Sequence, residues 1–187
     1  MARSRHDEEL RRRLIEVASE AIAGAGIEGP SLRSLARAAG TTTAAVYSLF
    51  GDRNALMQAV ADEGFRRFAT FLDDVEAAGQ SQQELLELGL AYRDNALANP
   101  QFYRVMFSTG ASSATGTETF EVLRRAASRA TGDGDEAASR DLALRLWALA
   151  HGLVSLELAG LLPGTEAERR ARYIAALRAY RPLPPGS

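Results

Sequence analysis

The sequence predicts an all-α protein: a small N-terminal domain of three helices, joined by a long helix to a C-terminal helical bundle, about nine helices in all. Three observations predict it. Apolar residues recur with helical spacing and no segment alternates as a strand would. Glycine clusters and prolines fall between the periodic stretches. The first three stretches are short and close together, and the later ones are long.

Taken in order, helices are expected near 7–24, 31–38, 42–48, 52–77, 81–98, 100–107, 118–130, 135–161 and 165–180. Leu10, Leu14, Val17 and Ala21 form the stripe of the first, which stops at the Gly24–Gly29 run and Pro30. Ser31 and Thr42 are placed to cap the second and third. Pro100 opens the sixth, and two polar, Gly-rich loops, Ser108–Thr119 and Thr131–Glu136, flank the seventh. Pro163 divides the last two helices, and Pro182, Pro184 and Pro185 end the pattern. No internal repeat is visible. The division expected is 1–52 and 53–187.

Composition excludes several chemistries. With 46% hydrophobic and 25% charged residues, the 187-residue chain is an ordinary globular one that needs no staple to fold. It has no cysteine, which removes thiol nucleophiles, redox pairs and cysteine-ligated metals. No apolar run reaches membrane-spanning length and the first residues are polar, so no membrane partner and a cytoplasmic location are expected. Net charge is −2, yet residues 1–55 hold eight Arg against seven acids and the remainder holds fourteen against seventeen. All 22 basic residues are arginine. The tilt is too slight to decide anything.

Spacing says more. With Leu32 as position 1, Leu35, Ala36, Ala39, Gly40, Val46 and Leu49 fall at positions 4, 5, 8, 9, 15 and 18 of a helix-turn-helix. Two helices crossing closely need a small residue at position 5, and the turn needs tolerance of positive φ at position 9. Spacing alone also fits an αα-hairpin with no DNA role. Beyond the turn, Thr41 to Leu56 resembles the TetR family of bacterial transcriptional repressors, with Gly40, Tyr47, Phe50, Asp52, Arg53 and Leu56 at the family's positions. Ser31-Leu32-Arg33-Ser34-Leu35-Ala36 resembles the family's preceding helix, and the strong match covers about residues 10–60. Two residues depart from the pattern: Arg53 replaces the usual Lys, and Leu49 replaces the usual His.

The resemblance implies double-stranded operator DNA as partner. Thr42, Thr43, Ala44 and Ala45 then open the recognition helix, where methyl contacts to thymine are expected rather than bidentate hydrogen bonds. Arg33, Tyr47, Ser48 and Arg53 are expected at phosphates. Arg3, Arg5 and Arg11–Arg13 are either a basic arm or a solvated helix start.

The stretch 135–161 is apolar on two faces: Leu142, Leu146, Leu149, Leu153 and Leu156 on one, Trp147, His151, Val154 and Leu158 on the other. A helix apolar on both sides must be covered on both. The resemblance implies a homodimer built on the last two helices, with that leucine stripe and Ile174 and Leu177 as interface candidates. Trp147, His151 and Gly152 also resemble a motif of some C-terminal subfamilies. A small hydrophobic ligand is the further implication, with Phe68, Tyr92, Phe102, Tyr103, Met106, Phe107, Trp147 and His151 as lining and Arg93 or Arg104 as polar groups. Those aromatics equally suit a core.

No cofactor, metal or catalytic residue is expected. Gly24 to Gly29 spells G-x-G-x-x-G, but it follows a helix instead of a strand. Asp133-Gly134-Asp135 lacks the glutamate that closes a calcium loop, and His6 and His151 stand in unrelated contexts. Two other readings remain open at this level: an all-α enzyme or ligand-binding bundle without DNA, and an activator or a regulator with no inducer.

Overall fold

The computed structural model describes residues 2–25, 29–76, 81–107, 114–131 and 135–180. Among them are nine α-helices and no strand: α1 (Ala2–Ala25), α2 (Leu32–Ala38), α3 (Thr43–Phe50), α4 (Arg53–Glu76), α5 (Ser81–Ala98), α6 (Pro100–Met106), α7 (Ala114–Thr131), α8 (Glu136–Leu158) and α9 (Glu166–Ala179). The protein is all-α, in the order its sequence predicts. Two helices start early. α1 begins at Ala2 because nothing among its Arg, His and acidic residues breaks a helix, and α7 begins at Ala114 in spite of Gly116. Residues 26–28 of the glycine run, 108–113 of the first polar loop, Asp133 and Gly134, the tail prolines, and the side chain of Arg3 lie outside the described residues. No described helix is long and apolar enough to cross a membrane.

Contacts divide the chain into two units. Residues 1–67 and 99–116 form the first, and 68–98 with 117–187 the second. Residues 53–67 of α4 therefore belong to the first and 68–76 to the second.

The first unit closes on one apolar core. Leu14, Ile15, Ala18 and Ile22 of α1 meet Leu35, Ala36 and Ala39 of α2, Val46 of α3, Leu56, Met57, Val60 and Ala61 of α4, and Phe102 and Val105 of α6. The stripe expected on α1 was only half right. Leu14 is fully buried, but Leu10, Val17 and Ala21 are partly covered, and Ile15, Ala18 and Ile22 carry the core instead. α1 packs against α2 and α3 and also against α6, so the covered arc is wider than one stripe.

In the second unit, α5, α8 and α9 pack on one another. Ser139, Leu142, Ala143, Leu146, Ala150 and Val154 give α8 its buried face. A methyl group added at Gly89 of α5 would stand 2.5 Å from a terminal methyl of Leu177 of α9, so α5 and α9 approach closely there and a larger residue would have to push that side chain aside. The Tyr173 hydroxyl donates to the Gly89 carbonyl at 2.7 Å. Asp135 caps α8 by accepting from Ala138 N at 3.0 Å. Thr165 and Glu168 form a reciprocal capping box on α9.

Candidate nucleic-acid interface

The turn between α2 and α3 is built by backbone rules that the sequence spells out. Gly40 takes φ +67°, closed to most side chains. Gly40 N donates to Arg37 O at 3.2 Å and Thr41 N to Ala36 O at 2.9 Å, which terminates α2 in a Schellman motif. Ser31 Oγ accepts from Ser34 N at 3.1 Å and Thr42 Oγ1 from Ala45 N at 3.2 Å, so both expected caps are present. Ala36 is buried where the helices approach, and Val46 pins α3 to the core.

This packing decides which side of α3 faces outward. Thr42, Ala44, Tyr47 and Ser48 are exposed, and Thr43 and Ala45 are half-buried beside them. Tyr47 is 53% exposed, so it is no part of the core. Arg33 is exposed on α2. Arg37, one turn later on the same face, is exposed as well. Sequence reading missed Arg37, although its i, i+4 spacing from Arg33 was available as a signal.

Arg53 differs from the rest. It is half-buried, and its Nε donates to the Pro30 carbonyl at 3.4 Å, at the long end of a hydrogen bond. The start of α4 is thereby tied to the residue just before the α2 cap. Asp52 Oδ1 accepts from Ala55 N at 2.7 Å and caps α4. Of the N-terminal arginines whose side chains are described, all lie on regular helix, where Arg5, Arg12 and Arg13 are exposed and Arg11 stands 5.0 Å over the Phe50 ring.

The aromatic residues expected around a ligand fall into both units. In the first, Phe102 is wholly buried in the core and Tyr103 and Met106 nearly so. Phe107 meets Tyr103 edge-on at 5.0 Å and Phe65 at 6.0 Å. Arg67 of α4 lies 4.1 Å over Phe102, while pairing with Glu63 at 2.8 Å and with Glu16 of α1. In the second, Phe68 packs edge-on against Tyr92 at 5.2 Å, and Tyr92 Oη lies 2.8 Å from His151 Nδ1. Trp147 stacks obliquely with His151 and Phe120. Burial pushes the His151 pKa below its ordinary value, which favours the neutral ring. Of the two arginines named as polar groups, Arg104 is exposed, and Arg93 is 1% exposed and engaged by Glu157 and Glu166.

The interface candidates also divide. Leu142, Leu146 and Leu177 are buried within this one chain. Leu149, Leu153 and Ile174 are half-buried, and Leu156 is 42% exposed. Leu144 and Leu161, at 51% and 67%, were missed. The leucine stripe straddles the boundary between the covered and uncovered faces of α8.

Residues 14–60 match the family described as bacterial regulatory proteins, tetR family, and residues 85–180, half of the chain, match the tetracyclin repressor-like C-terminal domain. The chain belongs to the TetR family. As a TetR-family protein it is a DNA-binding transcriptional regulator and not an enzyme. Among solved structures it is similar to the regulatory protein SCO4313 (27% identity, TM-score 0.79, covering 94% of this chain and 96% of that one). A protein of unknown function from Rhodococcus sp. RHA1 is 31% identical, with a TM-score of 0.72 over 90% of this chain and 94% of the other. BioQ of Mycobacterium smegmatis is 27% identical, with a TM-score of 0.65 over 88% and 91%. None of the curated proteins matches the chain.

Proposed function

We propose that this TetR-family regulator is a homodimeric repressor. In this reading residues 1–52 read a palindromic operator, and residues 53–187 dimerise and take a small hydrophobic ligand that releases the DNA. The observation that carries it is the outward face of α3, where exposed Tyr47 and Ser48 follow the Thr43-Ala44-Ala45 tip and two exposed arginines, Arg33 and Arg37, stand on α2. That tip offers methyl and hydroxyl groups, suited to thymine methyls. Tyr47, Ser48, Arg33 and Arg37 supply phosphate contacts that fix register. Arg53 combines a phosphate role with its anchoring of the α1–α2 connection.

Dimerisation uses the uncovered face of the last two helices. On α8 it presents Leu144, Ala148, Leu149, Gly152, Leu153 and Leu156, and on α9 Ala167, Ala171 and Ile174. A methyl group at Gly152 would touch nothing within 4 Å in the single chain, which leaves room for a second helix to approach closely. Twofold symmetry in the protein calls for a twofold site on the DNA.

Ligand binding is assigned to the aromatic groups around Phe68, Tyr92, Trp147 and His151, where the hydroxyl and neutral imidazole offer hydrogen bonds among apolar walls. Phe102, Tyr103, Met106 and Phe107 are the second candidate group. Two proteins sharing this fold support the assignment in kind: a TetR variant from Acinetobacter baumannii in complex with minocycline, 19% identical, and a fatty acid metabolism regulator of Clostridium perfringens, 18% identical. α4 offers the link. Its 24 residues span about 36 Å and run unbroken from Arg53 past Phe68. Linkage then requires ligand and operator to weaken each other by the same factor, about 1–3 kcal/mol.

The test is fluorescence anisotropy with DNA from upstream of the protein's own coding sequence, followed by operator titration with each hit of a thermal-shift screen of small hydrophobic compounds. Tight, salt-dependent binding relieved by a hit is expected. Tight binders that leave operator affinity unchanged would make this a ligand-independent regulator.

A further inference from the structure

The second unit buries charge where a stable fold does not need it. Arg93 of α5 is 1% exposed and Glu157 near the end of α8 is 5% exposed at the side chain. Arg93 donates through Nε and Nη2 to the two oxygens of Glu157 at 2.9 and 2.7 Å, and through Nη1 to Glu166 in the first turn of α9 at 3.2 Å. Arg169 of α9 adds a bond from Nε to Glu157 at 2.9 Å and one from Nη1 to the Gly164 carbonyl at 2.5 Å. Arg172 donates to the Pro163 carbonyl at 3.2 Å. One carboxylate therefore ties three helices, and two further arginine bonds hold the turn between α8 and α9.

The backbone of that turn is fixed independently. Gly160 has φ +71°, Gly160 N donates to Glu157 O and Leu161 N to Leu156 O, both at 3.0 Å, and the pattern is again a Schellman motif. The motif brings the backbone of Leu161 to that of Leu156, and both are exposed large apolar residues. Glu157 is the next residue after Leu156. The buried fork and the exposed apolar end of the α8–α9 hairpin are thus attached to the same last turn of α8.

A buried ion pair is a poor source of stability, since apolar side chains of similar volume do as well or better. What a bidentate arginine fork gives is geometry, because both bonds form only at one placement of the two helices. We propose that Arg93 and Glu157, with Arg169, are positioning residues for self-association: they hold α8 and α9 at the angle that presents Leu153, Leu156 and Ile174 to a second copy of this chain. The inference rests on the α8–α9 dimer reading given above. Association then starts from an ordered face, and the ordering cost that a loose hairpin would add at binding is already met within the subunit.

The experiment compares full-length variants by subunit exchange and sedimentation across dilution, with urea melts at protein concentrations far above the dimer dissociation constant. Arg93→Met alone would leave the buried Glu157 with Arg169 as its remaining partner, so the informative variant is Arg93→Met/Glu157→Met, which removes both buried charges and keeps the volume. It should stay helical and melt near wild type when concentrated, yet dimerise at least about tenfold more weakly. A dissociation constant within twofold of wild type overturns the proposal. Should the double variant not fold, Glu157→Gln, which keeps the shape but loses the charge, is read by the same two outcomes. Leu153→Glu separates the two ideas. If it leaves dimerisation intact, the α8–α9 reading itself is wrong and this inference falls with it; if it yields monomer while the charge-cancelled variant dimerises normally, only the positioning role is lost.

Discussion

Among the described residues of the first unit, the buried side chains are apolar apart from Ser19, whose hydroxyl bonds to the Glu16 carbonyl of its own helix at 2.8 Å. The second unit buries Glu84, Arg93, Asn95, Thr119 and Ser139. Its buried charges are paired across helices: Arg93 with Glu157 and Glu166, Glu84 with Arg129 of α7. An apolar core holds short helices together by volume and tolerates small shifts. A paired-charge core tolerates few, because a displaced partner leaves a charge buried without compensation. The DNA-reading unit is thus held by packing and local caps, and the unit assigned to dimerisation adds directional bonds between distant segments to an apolar core that includes Leu88, Tyr92, Val154 and Leu177.

The contrast can be broken most sharply at Arg93. Arg93→Met alone should destabilise by about 3–5 kcal/mol in urea titration, since Glu157 is left buried and underpaired. Close behind, Leu35→Ala in the first unit should cost about 2–5 kcal/mol through the cavity it leaves. Hydrogen exchange should locate the loss of protection in α1 to α3 for Leu35→Ala and in α5, α8 and α9 for Arg93→Met. A loss spread evenly over both in either variant would remove the distinction drawn between the units.

Gly40→Val tests the backbone alone, because nothing lies within 4 Å of an added methyl there and only the φ of +67° resists. It should cost roughly 1–2 kcal/mol, with Gly40→Asn milder, and operator affinity should fall with it.

Acid should separate the units further. Burial lowers the His151 pKa below about 6.5, so the unfolded chain takes the proton first and stability is lost as pH falls through the ordinary histidine range. Burial would raise the Glu157 carboxyl, but hydrogen bonds and charge from Arg93 and Arg169 outweigh it and hold it below about 4.5. Its contribution is present above that value and disappears as pH falls through the folded one. Urea midpoints should therefore drop in two steps, and His151→Gln should remove the upper one only. The smallest effects belong to the surface. Arg33→Ala and Arg37→Ala should each lower the salt slope of DNA binding by about 1 without changing base preference. A change in base preference would place these residues at base edges instead.

The helix-turn-helix was legible because its requirements are local. Gly40 must take positive φ, Ser31 and Thr42 must bond three residues ahead, and Ala36 must be small, and each demand names a residue type at a fixed offset. Arg93 could not be recognised as a buried tie because its partners lie 64 and 73 residues away, beyond any local rule. The sequence leaves open which side of α8 stays uncovered for a related reason. Both of its faces are apolar, and only the packing against Phe120, Leu123 and Ala127 of α7, Leu85 of α5 and Tyr180 shows that Leu142 and Leu146 turn inward while Leu144 and Leu156 do not.

What the sequence by itself determined is the helix order, the turn chemistry and the family, since all three rest on short-range backbone preferences and on residue identity at fixed spacing. What only the tertiary structure decided is which side chains are covered: that Tyr47 and Arg37 face outward, that Phe102 belongs to the core of the first unit, and that Arg93 is a buried tie between three helices. Burial depends on which elements meet, and helices distant in sequence meet through summed, non-directional apolar contact that no single residue encodes.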